Sequence, residues 1–255
     1  MLNSSRVIIA CLILVVCSAG VLGQGAEPKP KHEVEVRGVY LSPTGETNFN
    51  GTTISFANDF DLPNRWGLDM HYSYRSESGK HKITVQYTRS SFESTRTLTR
   101  DIDFLFHHYT AGIEITSERK LQAFTGMYAY RWGNDKVRFG PAFWMGVVKP
   151  SVHIDTVTNR GGANSAEGSI TKFAGLIGYD VDYDPDRRVN IYHNLGWIRF
   201  HLERLFQTEA GVRYFPSKHI GVSGGYKFVN YKIVNDDNFI RAREQGPFIG
   251  GVVRF

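Results

Sequence analysis

The sequence predicts an all-β fold: a closed, antiparallel, up-and-down barrel of about ten strands that crosses a membrane, with eight and twelve strands as alternatives. Three observations lead there. Apolar residues recur at every second position through segments of about ten residues, the length that a tilted spanning strand requires. Short turns alternate with longer polar connections along the chain. Aromatic residues gather near segment ends, while the face opposite the apolar one carries charges of both signs.

The segments follow in order. Val34, Val36 and Gly38 alternate with Glu35 and Arg37; Leu68, Met70 and Tyr72 alternate with Asp69 and His71. Ile83, Val85 and Tyr87 oppose Lys82 and Gln86, and Phe124, Tyr128 and Tyr130 oppose Thr125 and Met127. Phe139, Phe143, Met145 and Val147 share a face opposite Arg138. Phe173, Ile177, Tyr179 and Val181 oppose Lys172, Asp180 and Asp182; Val189, Ile191 and Trp197 oppose Asn190 and Asn194. Phe206, Val212 and Tyr214 oppose Glu209 and Arg213, and Ile220, Val222 and Tyr226 oppose Ser223 and Lys227. The last segment, GPFIGGVVRF, places Ile249, Gly251 and Val253 on one face and closes on Phe255.

Turn formers mark short connections at Ser76–Lys80, Gly133–Lys136, Asp184–Arg188 and Pro216–Lys218. The long connections are Ser42–Arg65, Ser90–Lys120, Lys149–Ser169 and Asn230–Gly246, with a brief exception near His201–Arg204. Residues 93–119 hold enough β-formers for two more strands and are expected to form a strand extension and hairpin above the membrane.

The amino-terminal end has the layout of a secretory signal peptide: one positive charge before Val7, the apolar run VIIACLILVV, then small residues. That run is shorter than the roughly 20 residues of a spanning helix. Residues 1–23 are therefore expected to be a cleaved signal, 24–32 a short leader and 33–255 the barrel. Both cysteines, Cys11 and Cys17, lie in the signal, so thiol chemistry, disulfides and cysteine-based metal sites are excluded from the mature chain. Thirty basic against 25 acidic residues is too small a surplus for a nucleic-acid partner.

Alternation fits a soluble sandwich as well as a membrane barrel, so what fills the polar face decides between them. Glu35, Arg37, Asp69, Arg138, Lys172, Asp180, Glu209, Arg213 and Lys227 sit at strand-centre depth. Charges so deep must be paired or wetted, and a barrel lumen allows both. They are expected to form a mixed salt-bridge network that fills the lumen, with a narrow ion-lined pore as the alternative.

With its signal, cysteine-free mature chain and terminal strand, the sequence resembles the bacterial outer-membrane β-barrel proteins of Gram-negative envelopes. The resemblance is one of architecture over nearly the whole chain. It implies that Phe255, Val253, Gly251 and Ile249 are recognised by the barrel-assembly machinery, although Pro247 stands where another outward apolar residue is usual. It also implies a monomer whose partners are outer-membrane lipid and lipopolysaccharide.

Further candidate sites are weaker. His107 and His108 are adjacent on a strand and point to opposite faces, so they do not readily share a metal ion. His153 and Asp155 share a face, a pattern for a ligand or acid–base pair but several times more often for a polar loop edge. Asp101 and Asp103 bear a similarity to the aspartate pair of the omptin proteases, themselves ten-stranded barrels. The matching Asp–His pair is missing, since the next outer connection offers His201 and Glu203. Among lipid-modifying possibilities, His71 and Ser73 share a face and His193 lies on an apolar one, but no nucleophile stands with a base. The glycine-containing Asn159–Ser169 reads as a surface loop. No catalytic residue, metal or cofactor is expected. The function expected is a non-enzymatic surface or structural role, either envelope integrity or loop-mediated binding. A narrow, porin-like channel for small solutes is the alternative, and an outer-membrane hydrolase, omptin-like or lipid-modifying, comes second to that.

Overall fold

A computed structural model describes residues 31–157 and 165–255. The expected signal peptide, most of the leader and the first part of the Asn159–Ser169 loop lie outside the described residues. Ten principal strands follow one another: β1 (His32–Asn48), β2 (Arg65–Arg75), β3 (His81–Thr97), β4 (Glu114–Tyr130) and β5 (Val137–Thr156), then β6 (Lys172–Tyr183), β7 (Val189–Phe200), β8 (Glu203–Tyr214), β9 (Ile220–Asn235) and β10 (Asn238–Arg254). Every consecutive pair is antiparallel, and β10 pairs with β1, Glu33 opposite Arg254, so the hydrogen-bonded ring closes. Over the span that all ten strands share, closure satisfies the backbone without leaving an edge, the condition for crossing a bilayer without helices. Among the described residues no helix is long and apolar enough to cross a membrane.

The wall is uneven. Strands β6, β7 and β8 have 12 residues each, close to one bilayer span, while β1, β3, β4 and β10 have 17 and β5 has 20. The extra residues carry the tall strands roughly 10 Å beyond the short ones. This corrects the expected loop pattern. Much of Ser42–Arg65, Lys149–Ser169 and Asn230–Gly246 is strand, and the last of these connects through a tight turn at Asp236–Asp237. Ser165–Ser169, expected as loop, pairs with Ser151–Asp155 of β5. Residues 93–119 form the expected strand extension, crowned by a small sheet of Ile102–Phe104 and His107–Tyr109.

Each tall strand changes character along its length. In β1 the inward residues run Glu33, Glu35, Arg37 and then Val39, Leu41, all buried. Its outward residues run Val34, Val36, Tyr40 and then Thr44, Glu46. In β10, Ile249 is 64% exposed low on the outer face, while Ile240 and Ala242 are buried higher up on the inner face and Arg241 and Arg243 point outward between them. The lower ring therefore wears an apolar belt, including Trp197, Phe173, Ile177, Phe124 and Phe143, around a polar interior. The upper ring has an apolar interior and a polar surface.

The connections supply what fills that upper interior. Phe49, Ile54, Phe56, Phe60 and Leu62 from the β1–β2 connection are buried with Leu98, Ile102, Phe104 and Tyr109 from the β3–β4 connection. They pack on Phe92, Ile115, Val152, Ile154 and Ile240 of the walls. Asp59 fixes the cap by accepting hydrogen bonds from Ser55 N (2.7 Å) and from Arg100 Nε and Nη2 (2.8 and 2.7 Å).

Candidate functional site

Alternation turns the charged residues of the lower ring inward, where they meet from opposite walls. At the base, Arg213 donates to Glu35 (2.9 Å) and Asn190 (3.0 Å) and lies 3.4 Å from Glu33. Lys82 bridges Asp180 (2.8 Å) and Asp182 (3.3 Å), and Arg131 is hydrogen-bonded to Asp182. Arg75 lies 3.9 Å from Glu33 and 3.8 Å from Asp182. One level up, Arg37 takes Glu209 in a two-pronged bond (2.6 and 2.8 Å), donates to Tyr192 (2.8 Å) and stacks over Phe248, 4.4 Å from the ring centre. Lys227 holds Asp69 at 2.6 Å. Higher still, Arg119 crosses to Glu244 and Tyr231, and Ser90 donates to Glu244 at 3.0 Å.

In the two lower tiers Glu33, Glu35, Asp69, Asp180, Asp182 and Glu209 face Arg37, Arg75, Lys82, Arg131, Arg213 and Lys227. The signs balance. Buried ion pairs are tolerated at this depth because each charge has a partner of opposite sign within 4 Å, most of them hydrogen-bonded. A cavity of about 40 Å³ remains beside His71, Lys82, Gln86, Thr125, Asn194 and Gln207, room for about three water molecules.

Of the residues expected in the lumen, Glu35, Arg37, Asp69, Asp180, Glu209, Arg213 and Lys227 are all buried and inward. Two stand elsewhere. Arg138 lies at the base rim, bonded to Asn134 O (3.3 Å) and near Asp135 (3.4 Å), because β5 begins only one residue before it. Lys172 opens β6 at the outer end and pairs with Glu203 at 3.4 Å. Alternation gives a residue's face and not its depth. Glu33, Arg75, Lys82, Arg131, Asp182 and the Arg119–Glu244 pair were not counted among the lumen charges from sequence, although each sits at an inward parity position.

Asp69, His71 and Glu209 bring ligand atoms within 4.8 Å of one another, a spacing that suits a divalent ion. Arg37 and Lys227 already take the Glu209 and Asp69 oxygens, so the chemistry of the set is that of an ion-pair node. His71 accepts from Arg37 at 2.5 Å and Ser73 shares a bond with Thr84 at 2.9 Å, both in the lumen and away from any lipid. His193 faces outward, bonded to Thr208 at 3.0 Å.

On the outer cap, His108 pairs with Asp103 at 2.7 Å, and this hydrogen bond raises the histidine above its ordinary pKa. Asp101 accepts from Ala111 N at 2.7 Å. His201 lies at the β7–β8 turn, and no contact among the described residues joins it to Asp101 or Asp103. His153 and Asp155 are 2.7 Å apart on the outward face of β5, in strand where a loop edge was expected. Asp155 lies below the usual carboxylate range because Ser165 and His153 hydrogen-bond to it. The hairpin turn Leu105–Phe106 has both residues at positive φ (48° and 68°), a conformation suited to Asn-Gly, and Phe106 is 86% exposed at its tip.

At the terminal strand, Ile249 and Gly251 are exposed on the outer face beside half-buried Val253. Phe255 O accepts from Lys31 N (3.1 Å) and His32 N (2.9 Å), and its ring stacks on His32 at 5.5 Å.

No known family model matches the sequence, and neither does any curated protein. Solved structures do. The outer membrane protease OmpT from Escherichia coli aligns at a TM-score of 0.57 with 9% identity, covering 91% of this chain and 99% of that one. The translocator domain of the autotransporter NalP from Neisseria meningitidis covers 99% of this chain and 96% of its own, at 10% identity and a TM-score of 0.47. At such identities a likeness speaks of fold alone, and the first of these two carries it. The ten-stranded closed ring, its outward apolar belt and this match together give the chain the fold of an outer-membrane β-barrel.

Proposed function

We propose that the protein is a non-conducting barrel of the bacterial outer membrane with a non-enzymatic role, holding a surface outside the cell and bracing the envelope. The observation that carries this reading is the blocked lumen. Two tiers of balanced ion pairs cross it, and a packed apolar cap closes the outer half. The cavity beside His71, about 40 Å³, is far too small for a solute path. The strained Leu105–Phe106 turn favours a surface-binding role over a purely structural one. Strain of this kind, roughly 1–3 kcal/mol per residue, collects where function requires it, and here it presents an exposed aromatic.

Export by the amino-terminal signal, insertion as a monomer, and recognition of Phe255, Val253, Gly251 and Ile249 by the assembly machinery complete the proposal. Outer-membrane lipid and lipopolysaccharide surround the belt. The test is conductance of the refolded protein in a planar bilayer. Silence from protein whose insertion is verified by heat-modifiable gel migration is the expected result. Discrete steps that change in Arg213→Ala would establish the channel instead.

A further inference from the structure

We propose that the outer wall of β7–β10, just above the apolar belt, binds the phosphorylated headgroup of an outer-leaflet lipid. This rests on the reading that the belt lies in a membrane. Strand register sets Arg199 opposite Arg204, Arg204 opposite Lys232, and Lys232 opposite Arg241. Residues directly opposite project from the same face about 5 Å apart, and like charges so placed repel. Four cations in one uninterrupted ladder need an anion.

The protein supplies very little. Among the described residues the one carboxylate in ion-pair reach is Glu46, 3.4 Å from Arg241. Arg204 Nε is shut off from solvent without a hydrogen-bond partner. The neighbouring acid, Glu203, is taken by Lys172 (3.4 Å) and by Val234 N–H (3.3 Å). The rung directly below the ladder sets Trp197 opposite Phe206, so the cations border the belt at headgroup level. Lysine and arginine at that level are the usual partners of lipid phosphate.

On the opposite wall the rung above the belt sets Arg89 opposite Gln122 and Gln122 opposite Lys149, so a neutral residue separates the cations, and acids enter two rungs higher. There Glu93 faces Glu118, Glu118 faces His153, and His153 faces Glu167. The nearby cation Lys120 is neutralised by Glu118 at 2.6 Å. The phosphate site is therefore placed on the four-cation ladder of β7–β10, where no neutral residue interrupts the charges.

The experiment compares wild type with an Arg199→Gln/Arg204→Gln/Lys232→Gln variant and a Lys120→Gln control, all refolded in detergent. Heat-modifiable migration in phosphatidylcholine vesicles, which requires no ladder, scores the membrane reading and the folding of each variant separately. Native mass spectrometry then measures retention of diphosphorylated lipid A, phosphatidylcholine and inorganic phosphate, each added alone. Wild type and the control should retain lipid A and not phosphatidylcholine. The triple variant, folded and inserted, should bind it about fivefold more weakly for each charge removed. Equal retention by the triple variant would overturn the proposal, as would inorganic phosphate binding as tightly as lipid A, which would make this a small-anion site.

Discussion

The lower and upper halves of this barrel are built from the same strands with opposite polarity. Below, β1 turns Glu35 and Arg37 inward and Val36 outward; above, it turns Leu41 inward and Glu46 outward. The backbone alternation is unbroken across the change apart from local twists, so a strand's period does not say which face is the core. The solvent outside decides that. Where lipid surrounds the ring, apolar side chains face out and the interior is filled with paired charges. Where water surrounds it, the interior is an ordinary apolar core. The two halves are therefore held by different physics, ion pairing below and packing above.

The sharpest way to break the lower half is Arg37→Met. It strands Glu209 and weakens the hold on Asp69, and removing one partner of a buried pair costs about 3–5 kcal/mol. Denaturant unfolding in micelles should register that loss, and a double variant with Glu209→Met should regain much of it. Recovery that fails to appear would mean Arg37 acts through its stacking on Phe248. In the upper half, Ile154→Ala should cost about 3 kcal/mol through a cavity in the cap. The damage should stay local: faster proteolysis of residues 49–62 with heat-modifiable migration unchanged. Global unfolding of this variant would erase the distinction between the halves.

A smaller and opposite change is expected at the hairpin tip. Replacing Leu105→Asn with Phe106→Gly suits both positive φ values and should stabilise the cap by about 1 kcal/mol. Hydrogen exchange at Ile102–Tyr109 would record it. The smallest effect is in pH. Burial pushes the Asp59 carboxyl up, but hydrogen bonds from Arg100 and Ser55 outweigh it and hold the group below its ordinary value. Its contribution is thus complete above about pH 4 and fades as pH falls through the lowered pKa. Cap protection against exchange should drop there in wild type and lose that dependence in Asp59→Asn.

Much of the lower half was legible in the sequence. Period two and the turn formers at Ser76–Lys80 or Asp184–Arg188 are local signals, and they suffice for strands, count and facing. The cap was not. Phe49, Ile54, Phe56, Phe60, Leu98, Ile102 and Phe104 follow no regular period, because they lie in connections whose conformation is set by the cavity they fill. Depth was also hidden, which is why Arg138 and Lys172 were placed too centrally. The cation ladder depends on register between strands, and a one-residue slip would dissolve it. No single segment contains that information.

The seam between β10 and β1 has a consequence for how the molecule forms. Nine of the ten strand pairs join neighbours in sequence and assemble as local hairpins, but the tenth sets Glu33 against Arg254. A contact at that separation carries the greatest loop-closure entropy in the fold, so it is expected to form last. Until it forms, the nascent barrel is an open sheet with two long, unpaired edges, each able to recruit a strand from another chain. The bonds from Lys31 and His32 to Phe255 O therefore latch the seam that shields both edges.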